Sequence, residues 1–459
     1  MFNLSDTIAA ICTPPGNGAV SGIRISGSDS WGIISKFFSQ CRGRFETCLY
    51  EHMHDQHGFI IDGKKTIDEV IVLPYKGPKS YTGEHAIEIF CHGSTQIASM
   101  ILDLCLKNGT RQAKAGEFTF RAFINGKIDL TEAEAINEII HASSEKAILA
   151  ASNNLSGKLK EKVSDFREKL FALVTAIEGG IEFPMDVQEP GKDKVTHELS
   201  EVNLKLQELI ETSKEGQLLR DGIKVSIIGG TNVGKSSLLN RLLENERAIV
   251  TPQAGTTRDT IEEKIIIDGY PIVLVDTAGL RKKESLQELT DEPEIFGIKR
   301  SKQALEKSDL VLFVLDLTRA NDKDTNDIFN VLDGKPRIVV GNKLDLVKNI
   351  NDCDIAISAK FGTNIDNLKD LIIEKIRLLL RNTGHEIRAT VYINQRQKEL
   401  LLQCFTHINF AIEIAKSGES EDLISDELKK AISKLDEVSG RKISDEIIQN
   451  IFSMFCVGK

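Results

Sequence analysis

No stretch of the sequence approaches eighteen consecutive apolar residues, so no segment reads as a membrane-spanning helix. The first residues, Met1-Phe2-Asn3-Leu4-Ser5-Asp6, carry no basic region, no apolar secretory core and no Arg-rich presequence, which predicts a cytoplasmic chain. A basic excess is also missing. Against 58 Lys and Arg stand 68 Asp and Glu, for a net charge of −10. That balance excludes broad, non-specific nucleic-acid binding, but not a local basic patch or RNA binding shared with a partner. The eight cysteines contain no Cys-X-X-Cys pair and read as reduced thiols. His52, His54, Asp55 and His57 gather in a polar stretch, yet no second half of a metal site accompanies them, so a solvated loop is expected. Repeats and low-complexity segments are absent. At 459 residues, with 41% hydrophobic and 27% charged composition, the chain should form two to four globular domains.

What is present centres on Gly229-Gly230-Thr231-Asn232-Val233-Gly234-Lys235-Ser236-Ser237. It follows the apolar run Val225-Ser226-Ile227-Ile228 and precedes Leu238-Leu239-Asn240-Arg241-Leu242-Leu243. Strand, glycine loop and helix is the context in which GxxxxGK[ST] forms a phosphate cradle. The loop turns backbone N–H groups around an anion, and the helix adds the positive end of its dipole. Lys235 is placed to reach the β- and γ-phosphates, and the Ser236 hydroxyl to ligate Mg²⁺.

Four further pieces follow in order. Ala254-Gly255-Thr256-Thr257-Arg258-Asp259 reads as a first switch, with Thr257 as second Mg²⁺ ligand. Ile272-Val273-Leu274-Val275 leads into Asp276-Thr277-Ala278-Gly279. There Asp276 would hold Mg²⁺ through water, and Gly279 would give an N–H to the γ-phosphate. Ile338-Val339-Val340 leads into Asn342-Lys343-Leu344-Asp345. The Asp345 carboxylate only accepts hydrogen bonds, so it matches the two donors on guanine's edge and rejects adenine. Ser358-Ala359-Lys360 closes the base pocket. Five pieces in this order point to guanine-nucleotide binding.

In chain order, β-like runs at 7–11, 22–26, 69–73 and 86–90, with helical stretches near 28–39 and 94–107, predict a small α+β domain over 1–125. Helix-period apolar faces then appear, such as Val163, Phe166, Leu170, Phe171, Val174 and Ile177. The expected plan has a helical domain in two parts, 126–220 and 382–459, with a Ras-like P-loop GTPase domain, 221–381, inserted between them. Helices are expected at 394–416 and 421–455. The fold class is therefore multidomain: α/β plus all-α.

One part is missing from the motor. Many GTPases carry Gln directly after DxxG to orient the attacking water; here that position is Leu280. Arg258 and Arg281 are candidates for charge stabilisation. Glu294, at the end of the polar segment 281–293, could position water once that segment orders.

Beyond the nucleotide motifs, the chain resembles the MnmE (TrmE) family of tRNA-modification GTPases over essentially its whole length. The resemblance rests on Asp6-Thr7-Ile8-Ala9-Ala10 with Thr13-Pro14-Pro15-Gly16, Gly22-Ile23-Arg24-Ile25-Ser26-Gly27, and Ser80-Tyr81-Thr82-Gly83-Glu84. It continues through Cys91-His92-Gly93, Ala115-Gly116-Glu117-Phe118-Thr119-Phe120-Arg121-Ala122-Phe123, Asn125-Gly126-Lys127-Ile128-Asp129-Leu130 and the tail Phe455-Cys456-Val457-Gly458-Lys459. The resemblance implies a homodimer through the N-terminal domains. It implies a GTPase that forms a heterotetramer with an MnmG (GidA)-type FAD protein. Together they would add an aminomethyl or carboxymethylaminomethyl group at C5 of the wobble uridine of certain tRNAs. The carbon would come from 5-formyl- or 5,10-methylene-tetrahydrofolate in the N-terminal domain, held by Arg24, Glu84, Lys127 and Lys459. By the same resemblance K⁺ replaces an arginine finger, taking oxygens from Asn232, Thr251, Gln253 and Thr256. Glu294 then matches the water-positioning glutamate, and Cys456 lies near the modification chemistry. Two departures stand out: Thr231 replaces a usual Pro, and residues 281–293 are longer than the usual switch.

Two other readings compete. A ribosome-assembly GTPase of the Era or Der type shares the G motifs but expects a basic C-terminal RNA-binding domain, against which the acidic balance and the tail speak. A scaffold whose GTP cycle only moves a partner is the third.

Overall fold

The alternating and helical periods of the sequence resolve into thirteen strands and twelve α-helices among the described residues of the computed structural model. Those residues are 4–40, 55–186, 190–230, 232–244, 262–276, 308–319, 334–347, 353–381, 391–418 and 420–459. The chain packs as two units, Met1–Asn137 with Asn154–Ser200 and Gln403–Lys459, and Glu138–Asn153 with Glu201–Leu402.

The first unit opens with β1 (Ile8–Ile11), β2 (Val20–Ser26), α1 (Ser30–Ile34), β3 (Phe38–Gln40), β4 (Gln56–Asp62), β5 (Lys65–Tyr75) and β6 (Ala86–His92). Next come α2 (Thr95–Lys107), β7 (Arg111–Gln112) and α3 (Glu117–Ile124). The strands form one sheet, ordered β3-β4-β5-β6-β2-β1-β7. Only β1 and β7 pair in parallel. Alternation puts Ile23, Ile25, Ile87 and Ile89 on the buried face, where they meet Ile101, Leu104 and Cys105 of α2.

Two expectations change here. The helix expected near 28–39 stops at Ile34, because Phe38–Gln40 pairs with β4 and the Phe37 carbonyl accepts from Ile61 N at 2.8 Å. A longer helix would pull Phe37 and Phe38 out of the core they share with Trp31. The loop expected around His57 is partly strand: His57 lies in β4, and its ring faces Glu69 of β5 at 3.0 Å. His52 and His54 lie outside the described residues.

Helices α4 (Leu130–His141), α5 (Glu145–Leu155), α6 (Lys158–Glu182) and α7 (Lys192–Asp221) follow. Then comes the second unit's sheet, introduced by β8 (Ile223–Gly229) and α8 (Lys235–Glu244). It continues with β9 (Glu262–Ile267), β10 (Tyr270–Asp276), β11 (Leu310–Asp316), β12 (Arg337–Asn342), β13 (Ile355–Ala356) and α9 (Ile365–Arg381). The order is β13-β12-β11-β8-β10-β9, parallel except for the β9–β10 hairpin. The near-continuous apolar runs of β8 and β11 fit strands covered on both faces.

The chain ends in α10 (Gln395–Ser417), α11 (Glu421–Ser439) and α12 (Asp445–Ser453). Helix α11 lies along α6, with Leu428, Leu435, Leu170 and Ile177 all buried. Each such side chain contributes about 2 kcal/mol of transfer free energy before chain entropy is counted. The helix expected over 421–455 is broken at Gly440, whose φ of +83° ends α11. Ser444 then caps α12 through its hydroxyl, which accepts from Ile447 N at 3.4 Å.

The break sends the tail to α3. Phe452 and Phe455 pack with Phe120 and Leu130. Gly116 N donates to the Cys456 carbonyl at 3.3 Å, and Phe118 N to Lys459 O at 3.2 Å. The carboxyl end thus satisfies free N–H groups at the positive end of α3. Gly116 has φ +67°, and a Cβ there would fall 2.3 Å from the Phe452 carbonyl oxygen. Gly116→Ala is expected to destabilise the fold by roughly 1–3 kcal/mol through left-handed strain and a displaced tail. Urea unfolding measures it, and an unchanged midpoint would show that the tail does not depend on this approach.

Candidate nucleotide site

Strand β8 ends at Gly229, the cradle follows, and α8 starts at Lys235. Asn232 takes φ +63° and Gly234 φ +97°, so the loop folds back on itself. Val233 is buried and anchors the loop in the core. The Lys235 ammonium lies over the loop, donating to the carbonyls of Gly229 at 2.9 Å and Gly230 at 2.6 Å. Ser236 and Ser237 occupy the first turn of α8, where free N–H groups and the helix dipole favour an anion.

The base-recognition end is fastened to this loop by one side chain. Asn342 is buried; its Nδ2 donates to the Val233 carbonyl at 2.8 Å, and its Oδ1 accepts from Ala359 N at 3.0 Å. The Ser358 hydroxyl donates to Asp345 Oδ1 at 2.6 Å and fixes that carboxylate's rotation. Arg241 of α8 donates from Nε to the Ala359 carbonyl at 3.2 Å and from Nη2 to that of Lys360 at 2.8 Å. Lys343, at φ +68°, turns its ammonium to Asp316 Oδ2 at 2.6 Å.

So Asn232, Val233, Gly234, Lys235, Ser236, Ser237, Asn342, Lys343, Asp345, Ser358 and Ala359 lie on linked loops and on the adjoining ends of α8 and β12, at one end of the sheet. The backbone of Asp276 closes β10 at that same end, opposite Ile227 of β8. Thr251, Pro252, Gln253, Ala254, Gly255, Thr256 and Thr257 lie outside the described residues, as do Thr277, Ala278, Gly279 and Glu294.

The sequence reading missed Asp316. Its carboxylate accepts from Lys343, from the Thr318 hydroxyl at 2.6 Å and from Thr318 N at 3.0 Å. The available signal was an acidic residue closing the apolar run of β11. Burial pushes the Asp316 carboxyl up, but the Lys343 and Thr318 donors outweigh it and leave it below its ordinary value.

In the other unit, Arg24 of β2 pairs with Glu88 of β6 at 2.7 Å, and its guanidinium lies 4.7 Å from the centre of the Tyr81 ring. The buried Nη1 of Arg24 has no hydrogen-bond partner among the described residues. Cys12 is close by. Burial raises its thiol above the ordinary value, while Arg24 draws it down and Glu88 pushes it up; Lys459 draws it down more weakly. A Cβ on Gly458 would stand 2.9 Å from the Cys12 Cα, so the tail lies against the end of β1, the strand paired with that of Arg24. Glu84 accepts from the Ser26 hydroxyl at 2.7 Å and from Arg121 at 3.1 Å. Lys127 donates to the Pro78 carbonyl at 3.0 Å, and its Cγ stands 3.2 Å from where a Cβ on Gly83 would be. Cys456 is exposed in the tail. An aromatic face, an unpartnered guanidinium nitrogen and a carboxylate suit a flat, donor-bearing ligand with an anionic end.

Comparison with known proteins places this arrangement. A family model described as the MnmE helical domain matches residues 130–456, and one described as GTP-binding protein TrmE N-terminus matches 7–127. The tRNA modification GTPase MnmE of Thermotoga petrophila is 41% identical, covering 99% of this chain and 100% of that one. The chain belongs to the MnmE (TrmE) family of tRNA-modification GTPases. The protein of the same name from Moorella thermoacetica is 40% identical over 99% of this chain and 100% of its own.

The Asp316 pairing has a measurable signature. Its carboxyl titrates lower in the folded chain, so the stabilisation it gives is present above the unfolded value, near 3.8, and is lost as pH falls through the folded value. Asp316→Asn is expected to lower stability at pH 7 by about 1–3 kcal/mol. The difference from wild type should narrow below about pH 4. A gap that stays constant from pH 7 to pH 3 would show that the charge is not the cause.

Proposed function

We propose that this chain binds GTP with Mg²⁺ on the cradle, hydrolyses it, and works in tRNA modification. The observation that carries the reading is Asp345, an acceptor-only carboxylate held by Ser358 and joined through Asn342 to the phosphate loop. Guanine's paired donors fit it, and the relatives of this chain bear GTPase activity and tRNA modification in their names. Ser236 and Thr257 would ligate Mg²⁺, with Asp276 reaching it through water. K⁺, held by Asn232, Thr251, Gln253 and Thr256, would supply the charge that neither Leu280 nor a partner's arginine gives. Glu294 would orient the attacking water.

The chemistry on RNA extends the reading. In it, the product is a wobble uridine carrying aminomethyl or carboxymethylaminomethyl at C5, made with an MnmG (GidA)-type FAD protein. A tetrahydrofolate derivative supplies the one-carbon unit. The unpartnered Nη1 of Arg24 beside the Tyr81 ring supports that ligand. Arg24, Lys127 and Lys459 would take its carboxylates and Glu84 its ring donors, with Cys456 close to the site of modification. We place the protein in the cytoplasm as a homodimer. Its domains would be 1–125 for folate and dimerisation, 126–220 and 382–459 helical, and 221–381 for GTP.

Two experiments test these halves. In K⁺, Asp345→Asn is expected to lower kcat/KM for GTP at least ~100-fold and to improve use of xanthosine triphosphate, whose C2 carbonyl accepts what the new amide donates. Wild-type hydrolysis should fall in Na⁺ at matched ionic strength. Equal GTP turnover by the variant would remove the base assignment, and equal rates in the two salts would remove K⁺. For the RNA, nucleosides of tRNA from cells lacking the protein are read by mass spectrometry, with wild type or Cys456→Ser restored. The modified uridine should vanish and return only with wild type; its persistence without the protein would sink the assignment.

A further inference from the structure

Beneath Glu84 lies a chain of buried charge that the sequence reading left without a role. Arg121 of α3 is 0% exposed, although it is one of the largest side chains in the unit. Its Nη1 donates to Glu84 Oε2 at 3.1 Å and Oε1 at 3.2 Å, and to the Asp6 carbonyl at 2.8 Å. Its Nη2 donates to Asp6 Oδ1 at 2.7 Å and to Glu117 Oε1 at 3.3 Å. Arg111 of β7 binds the far side, reaching Asp6 Oδ2 at 2.6 Å and Glu117 Oε1 at 2.5 Å. Asp6 is held below its ordinary value, chiefly by the Arg111 hydrogen bond, with burial opposing and Arg121 assisting.

The charges do not cancel. Three carboxylates (Asp6, Glu84, Glu117) meet two guanidiniums (Arg111, Arg121), which leaves one negative charge in excess. Asp6 is bracketed by both guanidiniums, and Glu117, fully buried, is likewise shared. Glu84 touches only one, and its side chain keeps 17% exposure. The excess thus falls on the carboxylate that opens outward. Its acceptor sites are also rationed. Among the described residues, Ser26 and Arg121 both donate to Oε2, while Oε1 receives only the longer Arg121 bond. A carboxylate has about four acceptor sites, so the free one lies on Oε1.

We propose that Arg121 is the positioning residue of the folate site. It fixes the rotation of Glu84 and, with Asp6, Glu117 and Arg111 behind it, presents Oε1 with its unmatched charge to one N–H of the ligand's heterocycle. The proposal rests on the folate reading above. Arg121 reaches the ligand only through Glu84, so its effect must disappear when Glu84 no longer carries the acceptor.

The test is a double-mutant cycle read by calorimetric binding of 5-formyltetrahydrofolate to the full chain. Arg121→Lys keeps the charge and loses the fork. It is expected to weaken binding about tenfold in the wild-type background and less than about twofold in the Glu84→Gln background. If wild type binds, Glu84→Gln weakens binding and Arg121→Lys costs the same in both backgrounds, the proposal fails and the folate reading stands. If wild type shows no binding, the folate reading fails and takes this proposal with it. Circular dichroism melting checks each variant's fold. Should Arg121→Lys not fold, Asp6→Asn, which loosens Arg121 from its other side, takes its place in the same cycle. Equal cost in both backgrounds would again overturn the proposal.

Discussion

The nucleotide unit depends on one amide. Asn342 sits at the end of β12, buried, and spends its donor on the phosphate loop and its acceptor on the loop that follows β13. Neither loop has regular structure to hold its shape, and both carry backbone groups that would be costly to bury unpaired. A carboxylate could accept from Ala359 N but could not donate to the Val233 carbonyl. The close fit is visible from the other side as well: a Cβ on Gly234 would stand 2.2 Å from Asn342 Nδ2. The glycine of the phosphate loop and the asparagine of the base motif are therefore one constraint, although 108 positions separate 234 from 342. The two loops cannot drift apart while that contact holds.

The N-terminal unit is governed by a different economy. Its sheet closes on apolar side chains, but α3 brings Glu117 and Arg121 into full burial. Buried ions of this kind seldom add net stability, since desolvation consumes most of the Coulomb attraction. Beside Glu84 they serve geometry: a guanidinium whose Nη1 and Nη2 are both engaged resists rotation, and so does the carboxylate it holds. The tail adds a second restraint on α3, through Gly116 N and Phe118 N. Lys459 and Arg121 thus depend on the same short helix, one at its start and one within it.

Much of this was legible beforehand, and the reasons divide cleanly. The cradle, Asn342, Asp345 and Ser358 could be read because each motif combines a residue type with a strand or helix on a known side, and local chemistry fixes both. Helix α2 and the central strands followed from period alone. The end of α1 at Ile34 could not be read, because Phe37 and Phe38 suit a helix face and a strand equally, and only pairing with β4 decides. The break at Gly440 carried a local signal, a glycine followed by Ser444, that helical periodicity on both sides hid. Asp316 and Asp6 were missed for another reason: their partners lie far away in sequence, Lys343 for Asp316, and Arg111 and Arg121 for Asp6. The i,i+4 pair Glu117–Arg121 could have been noticed, but nothing local says that such a pair is buried.

The sheet registers carry the argument a step further. Asp316 stands opposite Asn342 between β11 and β12, and Asp276 opposite Ile227 between β10 and β8. All three polar residues close their strands, and all close them at the same edge, where ligands bind in open α/β sheets. A slip of one residue in β11 would carry Asp316 to the other face and leave the Lys343 ammonium without its carboxylate. The apolar runs of β8, β11 and β12 hold that register, since Val225, Ile227, Leu312, Val314, Ile338 and Val340 share one core. The polar edge is therefore located by the apolar interior. A substitution at Leu312 would therefore cost core packing and, with it, the alignment of Asp316 with Asn342, three positions before Asp345.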